Sequence, residues 1–144
     1  MGSGKSTVGR RLAARLGRRF LDADKVLEER CGVPIATIFE IEGEDGFRRR
    51  ETAILDELLR LPGIVLATGG GAVLCAPNRD RLRQASHVFY LRSTPEELFR
   101  RLRHDTHRPL LQVADPLRRL RELYRERDPL YRQVAHYVIE TGRP

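Results

Sequence analysis

Apolar residues recur along this chain in two rhythms: the spacing of amphipathic helices, and short unbroken runs such as a buried parallel strand requires. Val8, Leu12 and Leu16 follow at i, i+4 and i+8 with Arg10, Arg11 and Arg15 opposite, and Gly17 stops the run. That predicts a helix with an inward apolar stripe and a glycine C-cap. Residues 19–24 read as a short buried strand ending in two carboxylates, Asp22 and Asp24, which strand alternation puts on one side. A helix over 25–30 follows, then a short one over 34–42 carrying Ile35, Ile38, Phe39 and Ile41, broken at Glu42-Gly43-Glu44. A longer helix over 45–61 turns Phe47, Ile54, Leu58 and Leu61 to one face. The run 64–67 is fully apolar and suits a central strand, 78–84 a short helix, and 87–91 the next strand. Thr94-Pro95-Glu96-Glu97 predicts a helix start with Thr94 as N-cap, Pro95 at N1 and Glu97 closing a capping box. A further helix starts at Asp115-Pro116, points Leu117, Leu120, Leu123 and Tyr124 inward and stops at Arg127-Asp128-Pro129, before a last strand over 137–139. Strands alternating with helices predict an α/β fold, a parallel sheet with flanking helices.

The chemistry sits where these elements meet. Met1-Gly2-Ser3-Gly4-Lys5-Ser6-Thr7 matches all but the opening of the phosphate-binding pattern G-x-x-x-x-G-K-S/T, and the helix that pattern needs follows directly. Gly2 and Gly4 let the backbone curl around phosphates, Lys5 reaches the β and γ oxygens, and Ser6 is placed to hold Mg²⁺. A flexible leader is the competing reading of such a tract. Asp22 and Asp24 fall beyond the carboxyl end of a strand, where open α/β sheets bind ligands; alternatively Asp24 only caps the next helix. Arg48 lies off the apolar face of its helix, either as a solvated cation or as a fixed donor pair aimed at a carboxylate. Thr68-Gly69-Gly70-Gly71 reads as a place where a ligand touches the main chain, or else as an irregular loop. The cations of 100–109 would repel one another unless an anion visits, whereas Arg127 can be read simply as a helix-end cation.

Length and charge narrow this picture only slightly. At 144 residues the chain suits one domain, and it has no run of ~18 apolar residues and no signal-peptide core. Cys31 and Cys75 stand in no metal-ligand spacing, so a cytoplasmic, thiol-reduced protein is the expectation. The net charge of +7 comes almost wholly from Arg interspersed with Glu, a weak indicator of nucleic acid.

In their order, G-S-G-K-S-T, L-D-A-D, G-F-R-R-R-E, T-G-G-G, R-P-L-L and R-D-P-L-Y resemble the shikimate kinases from one end of the chain to the other. The resemblance implies a P-loop fold like that of nucleoside-monophosphate kinases, with sheet order 2-3-1-4-5, that transfers the γ-phosphoryl of ATP to the 3-hydroxyl of shikimate on the way to aromatic amino acids. It implies that Gly2, Ser3, Gly4, Lys5, Ser6 and Thr7 bind ATP, with Arg101 beside adenine, and that Ser6 and Asp22 hold Mg²⁺. It further implies that Asp24 hydrogen-bonds the substrate hydroxyls, while Arg48 and Arg127 grip the carboxylate in a pocket lined by Gly69, Gly70 and Gly71. Arg108 would close over the transferred phosphate. Lys5, Asp24 and Arg108 are thus the expected catalytic residues, in one domain over 1–144 with substrate-binding helices over about 24–60 and a mobile lid over about 103–116. Partners are expected to be the small-molecule substrate alone, without nucleic acid or membrane, on a monomeric chain.

The family's chain carries a strand before the phosphate loop and a helix after the adenine loop, and neither falls within these 144 residues. With the first strand missing, strands two and three of that order are expected to face a gap, and the chain as it stands to be a poor or inactive enzyme. Two other readings compete. A related small-molecule kinase, such as one for gluconate, shares Lys5 and Ser6 but gives no reason to pair Arg48 with Arg127 around T-G-G-G. A basic nucleic-acid-binding protein with a vestigial phosphate loop predicts an affinity that falls steeply with salt.

Overall fold

The computed structural model describes residues 4–102 and 114–141. Helix α1 (Lys5–Leu16) opens at Gly4, whose φ of 79° lies in the left-handed region, and closes on Gly17, whose N–H reaches the Ala13 and Ala14 carbonyls. Strand β1 (Arg19–Asp22) leads into α2 (Ala23–Cys31) and α3 (Ile35–Leu58). Helix α3 is two helices joined across a kink at Gly43, where φ 72° and ψ −179° break the helical path as the Glu-Gly-Glu signal predicts. Strand β2 (Ile64–Ala67) runs into the glycine loop, a 3₁₀ turn (Ala72–Leu74) and α4 (Ala76–Ala85). Strand β3 (Phe89–Arg92), α5 (Pro95–Leu102), α6 (Pro116–Val134) and β4 (Tyr137–Glu140) complete the order. The capping box forms as expected: the Glu97 N–H donates to Thr94 Oγ1 at 3.2 Å, and the Thr94 N–H to Glu97 Oε2 at 3.0 Å.

All pairing is parallel. Arg19 stands opposite Ile64 and Asp22 opposite Ala67 in one pair, Phe89 opposite Tyr137 and Arg92 opposite Glu140 in the other. Among the described residues these are two separate two-stranded sheets, β1-β2 and β3-β4, so β2 and β3 do not pair with each other. The two pairs match the expected order on either side of its middle strand. The main core lies where α2 and both arms of α3 pack on β1 and β2, around Leu27, Ile38, Phe47, Leu55 and Leu58. No described helix is long and apolar enough to cross a membrane.

The structure corrects four expectations. Val8, Leu12 and Leu16 face solvent, at 45%, 37% and 53% exposure, while α1 sits on the sheet through Ala13 and through Gly9, where an added Cβ would lie 2.5 Å from the Phe20 ring. Close approach of helix and strand selects the small residues, and the larger apolar ones are turned away. Strand β1 stops at Asp22, and Asp22 rather than Asp24 caps α2, accepting from the Asp24 N–H at 3.0 Å. Phe39, Ile41 and Leu61 are exposed, Leu61 lying beyond the end of α3. Helix α6 does not stop at Pro129 but runs to Val134, because tertiary bonds from Tyr90 to Asp128 and from Tyr131 to Gly70 hold the turns on both sides of the proline.

Candidate active site

Four segments converge beyond the carboxyl ends of β1 and β2. The first is the start of α1, where the Lys5 ammonium donates to the Thr68 carbonyl and the Ser6 hydroxyl lies 3.4 Å from Asp22 Oδ2. A short strand-to-helix turn places the second: with Asp22 engaged as the cap, Asp24 sits in the first turn of α2 with its carboxylate aimed across the glycine loop. Gly69 allows this, since a Cβ there would lie 2.7 Å from Asp24 Oδ1 and 3.1 Å from Glu51 Oε2. The third segment is α3, whose Arg48 and Glu51 are one turn apart and joined at 2.9 Å. A Cβ on Gly71 would lie 2.5 Å from Arg48 Nη1, so the guanidinium rests on bare backbone. Helix α6 is the fourth, bringing Arg127 Nη1 to 3.4 Å from where a Gly70 Cβ would be. The buried Nε atoms of Arg48 and Arg127 find no hydrogen-bond partner among the described residues.

Burial dominates the electrostatics of the two carboxylates. It raises the Asp24 pKa above the ordinary value; Lys5 opposes it, Asp22 and Glu28 add to it, and Arg48 opposes it. Burial likewise raises Glu51, against the hydrogen bond and charge of Arg48, with Asp24 adding and Arg127 opposing. A carboxyl that holds its proton more tightly when folded makes stability fall as pH rises from its unfolded value, 3.8 for Asp24, through the raised folded one. Asp24→Asn is therefore expected to raise Tm at neutral pH, with the gain vanishing below the ordinary carboxylate value. An unchanged or lower Tm at neutral pH would mean that Lys5 and Arg48 outweigh burial.

The shikimate kinase family model matches residues 1–144, the whole chain. The chain belongs to the shikimate kinase family. A shikimate kinase of Ralstonia nicotianae is 58% identical over 144 residues, covering 100% of this chain and 76% of that protein. One from Neisseria gonorrhoeae is 58% identical over 142 residues, 99% of this chain and 84% of its own length. The solved structure of shikimate kinase from Acinetobacter baumannii in complex with shikimate superposes with a TM-score of 0.94 at 54% identity, covering 100% of this chain and 80% of that one.

Of the residues that the family resemblance singles out, Asp24, Arg48, Gly69, Gly70, Gly71 and Arg127 come together around the glycine loop. Gly4, Lys5, Ser6 and Asp22 stand at its edge, and Thr7 is exposed on α1. Arg101 lies apart, where Nη2 donates to the Thr141 carbonyl at 2.6 Å and Nη1 to Ser93 Oγ at 3.4 Å, tying α5 to the segment after β4. Gly2, Ser3 and Arg108 lie outside the described residues, as do residues 103–113 of the expected lid over about 103–116. Glu51, 3% exposed and bonded to Arg48, is a site residue that the sequence reading did not single out. Its signal was the i, i+3 spacing to Arg48 within R-R-R-E, easily taken for a solvated face. Tyr131, the last residue of R-D-P-L-Y, was missed in the same way.

Proposed function

We propose that this chain transfers the γ-phosphoryl of ATP to the 3-hydroxyl of shikimate, releasing shikimate 3-phosphate and ADP. The observation that carries this reading is the convergence of two guanidiniums and one carboxylate on three successive glycines, next to the Thr68 carbonyl that the phosphate-loop lysine bonds. A small acid bearing hydroxyl groups fits such a site with its carboxylate between Arg48 and Arg127 and a hydroxyl toward Asp24. The fork of Arg matches a carboxylate in two bonds, which a lysine does not. Glu51 holds the Arg48 fork at 2.9 Å, so the clamp is set before the substrate arrives.

Phosphoryl transfer has a loose transition state that calls for positioning and charge neutralisation rather than covalent help. Lys5 is the resident cation at the start of α1, where helix N–H groups also favour an anion. Arg108 is the further cation we assign to the transferring phosphate. Asp24 orients the attacking hydroxyl, and the raised affinity of its carboxyl for a proton lets it take the hydroxyl proton as the bond to phosphorus forms. Among the described residues no group of three or more His, Cys, Asp or Glu could hold a metal. Ser6 and Asp22, two oxygen donors 3.4 Å apart, instead fit Mg²⁺, which takes one or two protein oxygens and fills its shell with phosphate and water. Bound there it would neutralise charge on the β and γ phosphates. Arg101 is left to the nucleotide side, at the adenine.

ADP release measured with ATP and a panel of hydroxy acids tests the reading. Shikimate is expected to give the highest kcat/KM and gluconate only background. Gluconate turnover equal to or above that with shikimate would contradict it.

A further inference from the structure

Helix α6 contributes more to the acceptor site than Arg127. Tyr131, one helical turn further on, donates its hydroxyl proton to the Gly70 carbonyl at 2.5 Å. The same hydroxyl and Arg127 Nη1 both lie 3.4 Å from where a Gly70 Cβ would stand, so the two side chains meet over one bare peptide. Between them in sequence is Pro129, which has no N–H for the helix ladder and gives α6 a point of bending. The turn beyond it is fixed by other means. The Tyr131 ring lies 4.9 Å from that of Tyr90, whose hydroxyl donates to Asp128 Oδ1 at 2.8 Å, and Asp128 in turn accepts from Arg132 Nε at 3.0 Å.

We infer that Tyr131 is a positioning residue for the acceptor loop: its hydroxyl latches the Gly70 peptide to α6, so that the glycine loop and Arg127 keep one spacing. The inference rests on the functional reading above, in which that loop and that arginine hold the acid. Because a trans peptide is planar, holding the Gly70 carbonyl also fixes the plane of the Gly70–Gly71 link beside Arg48. Without the hydroxyl, the carbonyl would be left unpaired at a half-buried site, and the loop would turn to satisfy it.

Tyr131→Phe keeps the ring and its packing and removes the hydroxyl, which donates to Gly70 and also bonds the Arg127 guanidinium. It is expected to raise the KM for shikimate about tenfold while leaving kcat and the KM for ATP within about twofold. Tyr90→Phe, which loses the bond to Asp128 and keeps the latch, is expected to leave the KM for shikimate near the parent value even where it lowers Tm. A merely structural role for Tyr131 would move both substrates together. An unchanged KM for shikimate, or an equal rise for ATP, overturns the inference. Amide exchange provides a readout independent of the acceptor. The Ala72 and Leu74 N–H groups close the loop onto the Gly69 and Gly71 carbonyls at 3.1 Å each, and Tyr131→Phe should speed their exchange selectively. If another acid proves to be the acceptor, the functional reading fails while this exchange still judges the latch, and unchanged exchange overturns it.

Discussion

Arg127→Ala is expected to weaken shikimate binding by roughly 30-fold or more while leaving ATP affinity close to the parent's. The guanidinium stands over Gly70 with its buried Nε lacking a protein partner among the described residues, so a bound acid would complete its bonding. Removing a charge-assisted, partly desolvated contact of this kind costs about 2–5 kcal/mol. Arg48→Ala should produce a loss of the same order but carry a second penalty. It leaves Glu51, only 3% exposed, without the cation bonded to it at 2.9 Å. Breaking one side of such a buried pair costs about 3–5 kcal/mol, so this variant should also melt earlier, which Arg127→Ala should not do to the same degree. Isothermal titration with each ligand, next to a melting curve, checks both. Equal losses for shikimate and ATP would assign the arginines to folding rather than to the acid.

Lys5→Met should abolish measurable turnover, a fall in kcat of at least about 10²–10³-fold, while shikimate still binds. The lysine donates to the Thr68 carbonyl, whereas Arg48 is held by Glu51 and Arg127 stands over Gly70, so the two guanidiniums keep their places when it is replaced. Turnover near the parent rate would remove Lys5 from the mechanism. Loss of shikimate binding as well would show that the Lys5–Thr68 bond shapes the acceptor loop.

Local signals were legible in the sequence wherever chemistry within a few residues decides the outcome. Gly17 ends α1, Gly43 breaks α3, Thr94 and Glu97 close their box, and β2 delivers its glycines to the site. The failures share a cause in tertiary contacts. Periodicity located the Val8, Leu12 and Leu16 stripe but could not tell that contact with Phe20 favours Gly9 and Ala13 as the buried face. Proline propensity ended α6 at Pro129, whereas bonds from Tyr90 to Asp128 and from Tyr131 to Gly70 carry the helix on to Val134. Asp24 was weighed as a helix cap because either of two nearby carboxylates can cap, and Asp22 takes the bond. Glu51 stayed hidden because a glutamate after three arginines looks like a solvated face until the glycine loop is laid over it.

The claim that the site holds a carboxylate at one end and presents a particular hydroxyl to ATP at the other is tested most directly by the product. Incubation with ATP, Mg²⁺ and shikimate, followed by ³¹P–¹H correlation spectroscopy, should show a single phosphate ester coupled to the proton at carbon 3. Phosphate on another hydroxyl, or inorganic phosphate alone, would contradict the account.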